Sequence, residues 1–357
     1  MSSGNLKNRL SRLRTRTVVS AAAPGKNSKS APGMVSQTTQ RDSLTAAQWH
    51  QTGQWMYERE ICLPVSSFPG CFSQHLYLLF PALEPASTRI KPSELLFFDL
   101  ETTGLSRGAG TVIFMAGLGV LDKTETGYSR MHLHQLLLTD YPGESEFLAR
   151  IGDIAGTDRM PVSYNGRSFD ARLLETRCIM NGIAPFSWCS ASHLDLLYPA
   201  RRLWRNKLES CRLSCVERYI LGLERTDDLP GSEAPDAWFS WLDGKSDYRI
   251  AAIGDHNRDD CLSLALLLAE LNRQIDEGRA RAALIRALHL RSAGNWKAAR
   301  PFLEQAVQDG ENLAVRLLAI DLEHRFMDYP AALSLANTLE DVKRIDRLEK
   351  KLKKQLL

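Results

Sequence analysis

Residues 97–104 read FFDLETTG, and this stretch decides how the rest of the chain is interpreted. With Leu95 and Leu96 in front of it, the apolar run predicts a buried strand. Asp99 and Glu101 are two residues apart, so both side chains are expected on one face of that strand. Two carboxylates on a buried face repel each other and are costly to desolvate, and a bound Mg²⁺ or Mn²⁺ removes that cost. The alternative is a strand end that leaves both acids in solvent.

Length and composition predict an ordinary globular protein of about two domains. No apolar run approaches the roughly 20 residues that are needed to span a bilayer. No apolar segment of a signal peptide follows Met1, and the seven cysteines are scattered. Free thiols in a reducing compartment are therefore expected, and the protein is predicted to be cytoplasmic, with no membrane partner.

The charge of the chain is unevenly placed. Residues 1–45 carry eight Lys or Arg against the single acid Asp42, so this segment is net +7 while the whole chain is only +3. The segment is also poor in aromatic residues, which predicts a disordered basic tail. Such a tail either binds polyanions, serves as a transit peptide or is simply solvated.

The rest of the first half predicts an extension and then an α/β domain. Residues 46–93 contain several aromatic side chains and are expected to lead into the core as a short extension. Three strands with short connections follow, which favours antiparallel pairing. The expected elements are strands at 95–101, 111–121 and 129–138, a helix at 144–154, a strand at 161–164 and a helix that ends near residue 180.

The sequence YNGRSFD at residues 164–170 is a second polar motif. Its Asn-Gly pair predicts a turn, and Ser168 is expected to cap the following helix. Asp170 then falls in the first helical turn, where the helix dipole favours an anion. Taken alone, this motif fits ordinary helix capping. Asp195, in a later apolar run, is likewise expected to cap the segment that follows it rather than to act at a site.

The third acidic motif, DHNRDD at residues 255–260, leads into an apolar stretch. His256 and Asp260 are four residues apart and therefore share one face of a helix. Asp259 is a neighbouring acid, but it faces about 100° away. The alternative is an ion-paired helix start with no chemical role.

From about residue 279 the sequence predicts helices only. Trp296 and Tyr329 are offset by 33 residues, as are Ala299 and Ala332, against about 34 in a tetratricopeptide array. Residues 279–357 therefore resemble one or two tetratricopeptide-type hairpins, and they are expected to pack on the preceding domain.

Together, the acidic motifs resemble those of the DEDD superfamily of 3′–5′ exonucleases, and more narrowly the YprB-type RNase H-like domain. The resemblance covers about half of the chain, residues 94–275. It implies an α/β fold with an RNase H-like mixed sheet flanked by helices, followed by the all-α segment. It rests on FDLETTG at 98–104, YNGRSFD at 164–170, HLDLL at 193–197, TDDLPGSEAPDAWFSWL at 226–242 and HNRDDCLSL at 256–264.

The activity implied by this resemblance is two-metal phosphodiester hydrolysis at a single-stranded end of DNA or RNA. Asp99 would bridge two Mg²⁺ or Mn²⁺ ions, Glu101 and Asp260 would complete the first site, and Asp170 would serve the second. His256 would orient or deprotonate the attacking water. The expected substrate-binding residues are Thr102, Thr103, Gly104 and Asn165.

One departure from the family pattern concerns the last motif. In these exonucleases, either three residues separate a Tyr from the Asp that follows, or four residues separate a His from that Asp. Here three residues separate His256 from Asp260, which leaves its role as a general base open.

Two hypotheses compete with that of a nuclease. One is a non-hydrolytic nucleic-acid-binding scaffold, and the other is a scaffold that recruits a protein through residues 279–357.

Overall fold

A computed structural model of the chain describes most of the residues from Leu44 onward. The described ranges are 44–68, 72, 76–80, 83, 90–104, 110–124, 127–190, 192–225, 229–244, 249–277 and 279–355. The basic tail predicted over residues 1–45 lies outside them, except for Leu44 and Thr45. Leu44 is buried in the core. Within these ranges, no helix is both long and apolar enough to cross a membrane.

A seven-stranded mixed sheet forms the centre of the structure. Its spatial order is β1-β2-β5-β4-β3-β6-β7. The pairs β3–β6 and β6–β7 are parallel, and the other four neighbouring pairs are antiparallel. The strands are β1 (His50–Gly53), β2 (Met56–Phe68), β3 (Leu95–Thr102), β4 (Ile113–Thr124), β5 (Gly127–Leu138), β6 (Met160–Ser163) and β7 (Leu194–Asp195).

Helices flank this sheet and then continue alone, which confirms the predicted fold class of an RNase H-like mixed sheet followed by an all-α segment. The helices next to the sheet are α1 (Glu144–Ala155), α2 (Asp170–Met180), α3 (Ser187–Ser190), α4 (Leu197–Trp204), α5 (Leu213–Val216), α6 (Ala234–Leu242) and α7 (Arg249–Glu277). The C-terminal helices are α8 (Arg279–Ser292), α9 (Trp296–Gln308), α10 (Asn312–His324), α11 (Tyr329–Thr338) and α12 (Val342–Gln355).

The segment expected as an extension, residues 46–93, contributes β1 and β2 to the sheet. β2 pairs with β5 from Met56–Leu138 to Phe68–Tyr128, so it is a full-length member of the sheet. The paired residues of β2 and β5 are 60 to 82 positions apart in the chain, and a contact of that separation leaves little local sequence signal.

The side chains of β3 alternate between two cores. Leu96 and Phe98 pack in one hydrophobic cluster, and Leu95 and Phe97 pack in another with residues of α7. Because successive side chains on a strand point to opposite faces, Asp99 lies on the same face as Leu95 and Phe97, the face that packs against α7. This alternation sends the acids of the FFDLETTG stretch towards the long helix.

Helix α7 crosses the sheet closely at Gly117. This residue pairs with Asp99 on β3 and with Gln135 on β5. A Cβ atom at Gly117 would lie 2.4 Å from Asn257 Oδ1 and 2.7 Å from Cys261 Sγ, both on α7. The absence of a side chain at this position therefore sets how near α7 comes to Asp99.

The C-terminal helices repeat one turn geometry at the predicted offset. Asn295 Oδ1 accepts from Ala298 N at 3.3 Å, and Asp328 Oδ1 accepts from Ala331 N at 3.2 Å, which caps α9 and α11 in the same way. The segment also packs on the sheet domain, since Arg202 on α4 donates to Ile285 O of α8 at 3.2 Å. The predicted packing of this segment is therefore present.

We predict that Gly117→Ala destabilises the protein by about 1–3 kcal/mol, the usual cost of forcing an extra methyl group into a packed interior. Urea unfolding followed by circular dichroism measures the change. The control is Gly110→Ala, because nothing lies within 4 Å of a Cβ at Gly110, and an exposed change of this kind stays within roughly 0.5 kcal/mol of the wild type. Equal stability of the two variants would contradict the close approach of α7.

Candidate active site

Three acidic side chains from different elements lie near one another beside β3. Asp99 lies on β3, Asp170 is the first residue of α2, and Asp260 lies on α7. Burial raises the pKa of Asp99 well above its usual range, and the nearby Asp260 and Asp170 carboxylates raise it further. The structure therefore brings together three of the four acids that the sequence singled out.

The fourth acid, Glu101, lies two residues further along β3 and is 9% exposed. It joins the same electrostatic environment, because burial raises the pKa of the Cys261 thiol and Asp99, Asp260 and Glu101 raise it further. Glu101 therefore lies near the same part of α7 as Asp99 and Asp260.

Asp170 is held in place by the turn that precedes it. A Cβ atom at Gly166 would lie 2.4 Å from Ser163 Oγ and 3.0 Å from Asp170 Oδ2, so only glycine fits between them. Burial raises the pKa of Asp170 to about 7, with a further contribution from Asp195. An acid that is this costly to ionise needs a cation nearby to be charged at neutral pH.

Asp195 organises this turn. Its carboxylate accepts from Asn165 N at 2.8 Å and Arg167 N at 3.2 Å, and also from Leu197 N at 3.1 Å, where α4 begins. The predicted capping of the following segment is therefore present. The predicted cap of α2 by Ser168 was wrong, because Ser168 Oγ donates to Asn165 O at 3.2 Å and the cap residue is Phe169.

The DHNRDD motif lies inside α7 and divides between two faces of that helix. Asp255 and Asp259 both bind Arg258, which makes them structural ion pairs. His256 and Asp260 lie on the other face, with 3.8 Å between Nε2 and Oδ2. The motif is not a helix start, since α7 begins at Arg249.

Asn257, between these two faces, is fully buried and contacts Asp99 directly. Its Nδ2 donates to Asp99 Oδ2 at 2.9 Å and to Asp99 O at 3.0 Å. An N–H donor favours the ionised form of a carboxylate. Asn257 therefore opposes the effect of burial on Asp99.

Arg225 is an unexpected cation at this site. Its guanidinium binds Asp260 and both carboxylate oxygens of Glu217, which is 1% exposed. Glu217 lies on a π-helical turn, Glu217–Leu221, directly after α5. Arg225 thus neutralises Asp260, whose pKa is raised by burial and lowered by His256 and Arg225.

The same guanidinium determines the tautomer of His256. Arg225 Nη1 lies 3.2 Å from His256 Nδ1, and an arginine only donates hydrogen bonds. Nδ1 must therefore accept, so the neutral ring carries its proton on Nε2, the nitrogen that faces Asp260. In this arrangement His256 is a donor towards the acids and has no free basic nitrogen on that side.

The hydroxyl groups of Thr102 and Thr103, both expected to bind substrate, form hydrogen bonds with backbone atoms of the protein. Thr102 Oγ1 donates to Gly104 O at 2.9 Å, and Thr103 Oγ1 accepts from Val112 N at 2.9 Å. Both threonines are buried, whereas Asn165 is exposed and has a left-handed backbone with φ 69°. Of these residues, Asn165 presents the most accessible side chain.

The donor chemistry of the four acids fits a hard divalent cation, because carboxylate oxygens suit Mg²⁺ or Mn²⁺. A dication would also offset the cost that burial imposes on Asp99 and Asp170. Among the described residues, no group of three or more His, Cys, Asp or Glu is already assembled around a metal position. Arg225 is bound to Asp260, so a metal ion would compete with it for this carboxylate.

Sequence patterns did not indicate Arg225, Glu217 or Gln135, which lie outside the three acidic motifs. Arg225 is 35 residues from Asp260 in the chain, and Gln135 is 122 residues from Asn257. Buried acids require hydrogen-bond donors, and the three motifs contain too few of them. This shortage indicated that donors come from elsewhere in the chain, but it did not identify them.

Two comparisons relate the chain to other proteins by sequence. Residues 96–272 match the family model of the RNase H superfamily. The chain is also 34% identical over 188 residues to the uncharacterized protein YprB of Bacillus subtilis strain 168. That match covers 51% of this chain and 43% of YprB, so this chain corresponds to less than half of its relative.

Comparison with solved structures finds exonuclease I. The chain shares 18% identity with Escherichia coli exonuclease I in complex with a dT13 oligonucleotide, over 46% of this chain and 41% of that one, with a TM-score of 0.30. An ExoI/SSB-Ct complex gives 18% identity, 45% and 42% coverage and a TM-score of 0.29. A likeness this weak transfers no function to this chain.

We predict that Arg225→Met destabilises the protein in EDTA by about 3–5 kcal/mol, because it leaves Glu217 and Asp260 as uncompensated buried charges. The double variant Arg225→Met/Glu217→Met should recover part of this loss, since both members of the buried pair are then apolar. Chemical unfolding at neutral pH measures both changes.

The matched control is Arg218→Met, because Arg218 pairs with Glu224 at 3.6 Å and their side chains are 62% and 75% exposed. An exposed pair of this kind contributes at most about 1 kcal/mol. If Arg225→Met behaves like Arg218→Met, the guanidinium does not compensate the buried acids.

Proposed function

We propose that this chain, whose residues 96–272 form a YprB-type RNase H-like domain, is a divalent-metal-dependent nuclease. The observation that carries the proposal is that Asp170 and Asp260 lie close enough to Asp99 to raise its pKa, at a site where burial raises the pKa values of all three acids. Buried acids that are not fully paired are costly to fold, so they are retained for a purpose.

The acids would hold the metal in the arrangement that the DEDD resemblance implies. Asp99 would bridge two Mg²⁺ or Mn²⁺ ions, Glu101 and Asp260 would bind the first, and Asp170 would bind the second. Bound divalent ions stabilise charge on the attacking and leaving oxygens of a phosphodiester. The oxygen-only donor set and the raised pKa values of Asp99 and Asp170 support this assignment.

His256 orients the attacking water in this proposal. With Nδ1 accepting from Arg225, the Nε2–H group is directed to the acidic side and can donate to a water oxygen. Deprotonation of the water by His256 requires Arg225 to release Nδ1 first. The unusual spacing of His256 and Asp260 thus coincides with an added cation beside the ring.

The proposed substrate is a single-stranded end of DNA or RNA, hydrolysed in the 3′–5′ direction. Asn165 is the contact residue best supported by exposure, and Gly104 lies at the turn beside the acids. The turn that contains Thr102 and Thr103 would contact the terminal nucleotide through its backbone, since both hydroxyls are engaged. The possible protein partner of residues 279–357 and the cytoplasmic location stay predictions.

A second candidate function is a nucleic-acid-binding scaffold without turnover. The observation that favours it is Arg225, which occupies Asp260 and the Nδ1 atom of His256 together. If Arg225 never releases these groups, the acids cannot assemble around metal ions.

We predict that the full chain removes nucleotides stepwise from the 3′ end of labelled single-stranded oligonucleotides with Mn²⁺ or Mg²⁺, and that EDTA stops the reaction. Asp99→Ala should lower the rate by more than the roughly 10–100-fold typical of residues that only support metal ligands. Gel analysis of 3′- and 5′-labelled DNA and RNA measures rate and direction.

The control is Asp122→Ala, which changes a 49% exposed acid on β4 and should leave the rate unchanged. Equal rates for Asp99→Ala and the wild type would overturn the nuclease assignment. Salt-dependent binding without cleavage under any metal would instead support the non-hydrolytic scaffold.

A further inference from the structure

We propose that Arg59, Gln135 and Asn257 are positioning residues that fix the orientation of the Asp99 carboxylate. This inference rests on the metal-ligand role proposed for Asp99. It gives β2, which lies outside the residues that match the RNase H family model, a part in the candidate site.

The three residues form a continuous hydrogen-bonded chain across the sheet. Arg59 on β2 pairs with Gln135 on β5, Gln135 pairs with Gly117 on β4, and Gly117 pairs with Asp99 on β3. These four positions form a single row on the face that α7 covers. Gly117 leaves a gap in the row, and Asn257 enters that gap from α7.

The hydrogen bonds along the row are buried, except for the last one, to Asp99, which is partly buried. Arg59 Nε and Nη2 donate to Gln135 Oε1 at 3.0 and 2.7 Å. Gln135 Nε2 donates to Asn257 Oδ1 at 2.8 Å and to Gly254 O at 2.7 Å. Asn257 Nδ2 then donates to Asp99 Oδ2 at 2.9 Å. Gln135 and Asn257 are each 0% exposed.

The direction of these hydrogen bonds is set by Arg59, which only donates, together with the backbone oxygens of Gly254 and Asp99, which only accept. A guanidinium has donors only, so the Gln135 side chain must present its oxygen to Arg59 and its nitrogen to α7. Asn257 must then accept through Oδ1 and donate through Nδ2. An amide could otherwise turn over at either position. The row therefore ends on Asp99 with an N–H donor rather than with an acceptor.

This ending leaves one carboxylate oxygen of Asp99 for a cation. Asn257 engages Oδ2, and in the part of the chain that the structure describes no other side chain donates to Asp99. A reversed Asn257 would place an oxygen against the carboxylate and repel it. The row thus determines which oxygen is engaged and at what angle the other is presented.

Arg59 is itself held on several sides. Nη1 donates to Ala47 O at 3.2 Å and to Asp255 Oδ1 at 3.1 Å. The guanidinium carbon lies 4.9 Å from the ring centre of Trp49, within the range of a cation–π contact. Arg59 is therefore held both by residues that precede β1 and by Asp255 on α7, which fixes the position of its guanidinium at the start of the row.

Stability alone does not account for this arrangement. A buried polar network is on average no more stabilising than well-packed apolar residues of similar volume. Positions 59 and 135 face each other on neighbouring strands in the core and would accept an apolar pair. Polar residues there are explained if their purpose is to orient the group at the end of the row.

The experiment is calorimetric titration of the metal-free full chain with MnCl₂, well below the unfolding temperature of each variant. Arg59→Met removes the two donors that hold the Gln135 side-chain oxygen. Gln135→Glu keeps an acceptor for Arg59 but cannot donate to Asn257. Both should weaken Mn²⁺ binding by about 10–100-fold, the usual effect of losing a partner that orients a metal ligand.

The matched control is Arg150→Met. Arg150 donates to Glu58, the neighbour of Arg59 on β2, at 3.0 Å through Nε and Nη2, and it has no contact with the row. Its variant should bind Mn²⁺ like the wild type. Gln135→Glu is decisive if Arg59→Met does not fold, because it keeps Arg59 and an oxygen that accepts from it.

The outcomes separate this inference from the proposed function. Wild-type Mn²⁺ affinity in Gln135→Glu, with loss of binding in Asp99→Ala, would overturn the positioning role and keep the metal site. Mn²⁺ binding that is unchanged by Asp99→Ala would overturn the proposed metal site itself. Weaker binding in Gln135→Glu at unchanged unfolding temperature supports the positioning role, which a purely structural role does not predict.

Discussion

The close approach of α7 to the sheet at Gly117 is the constraint on which the candidate site depends. Asp99 reaches Asn257 only because no side chain stands at Gly117. The same approach brings His256 and Asp260 to the edge where β3 ends. A helix held farther away would leave Asp99 without its donor and would separate the acids of β3 from that of α7.

The buried acids explain why donors collect around this crossing. A carboxylate that is taken out of water needs hydrogen bonds or a cation to stay ionised. Asn257 serves Asp99, Arg225 serves Asp260, and the backbone of the turn at Asn165 and Arg167 serves Asp195. Among the residues that the structure describes, no cation pairs with Asp170 in this way, and its pKa is raised to about 7.

The sequence predicted those features of the site that depend on residues close together in the chain. The buried strand before Asp99 follows from an apolar run, the position of Asp170 at a helix start from the Asn-Gly turn, and the shared face of His256 and Asp260 from their spacing of four residues. The roles of β2, Arg225 and Gln135 depend on contacts between residues 35 to 122 positions apart in the chain. Ser168 was misassigned because its hydroxyl found a nearer partner in Asn165.

Arg225 shows how the site can be stable in the absence of any ion. Four acids in one region would repel each other during folding, and an internal cation removes part of that repulsion. Glu217 binds the guanidinium through both oxygens, so Arg225 keeps a charged partner even if Asp260 turns to a metal ion. Exchange of Asp260 between Arg225 and a metal would leave no buried charge uncompensated, which makes the change from a metal-free to a metal-bound site energetically accessible in the proposed enzyme.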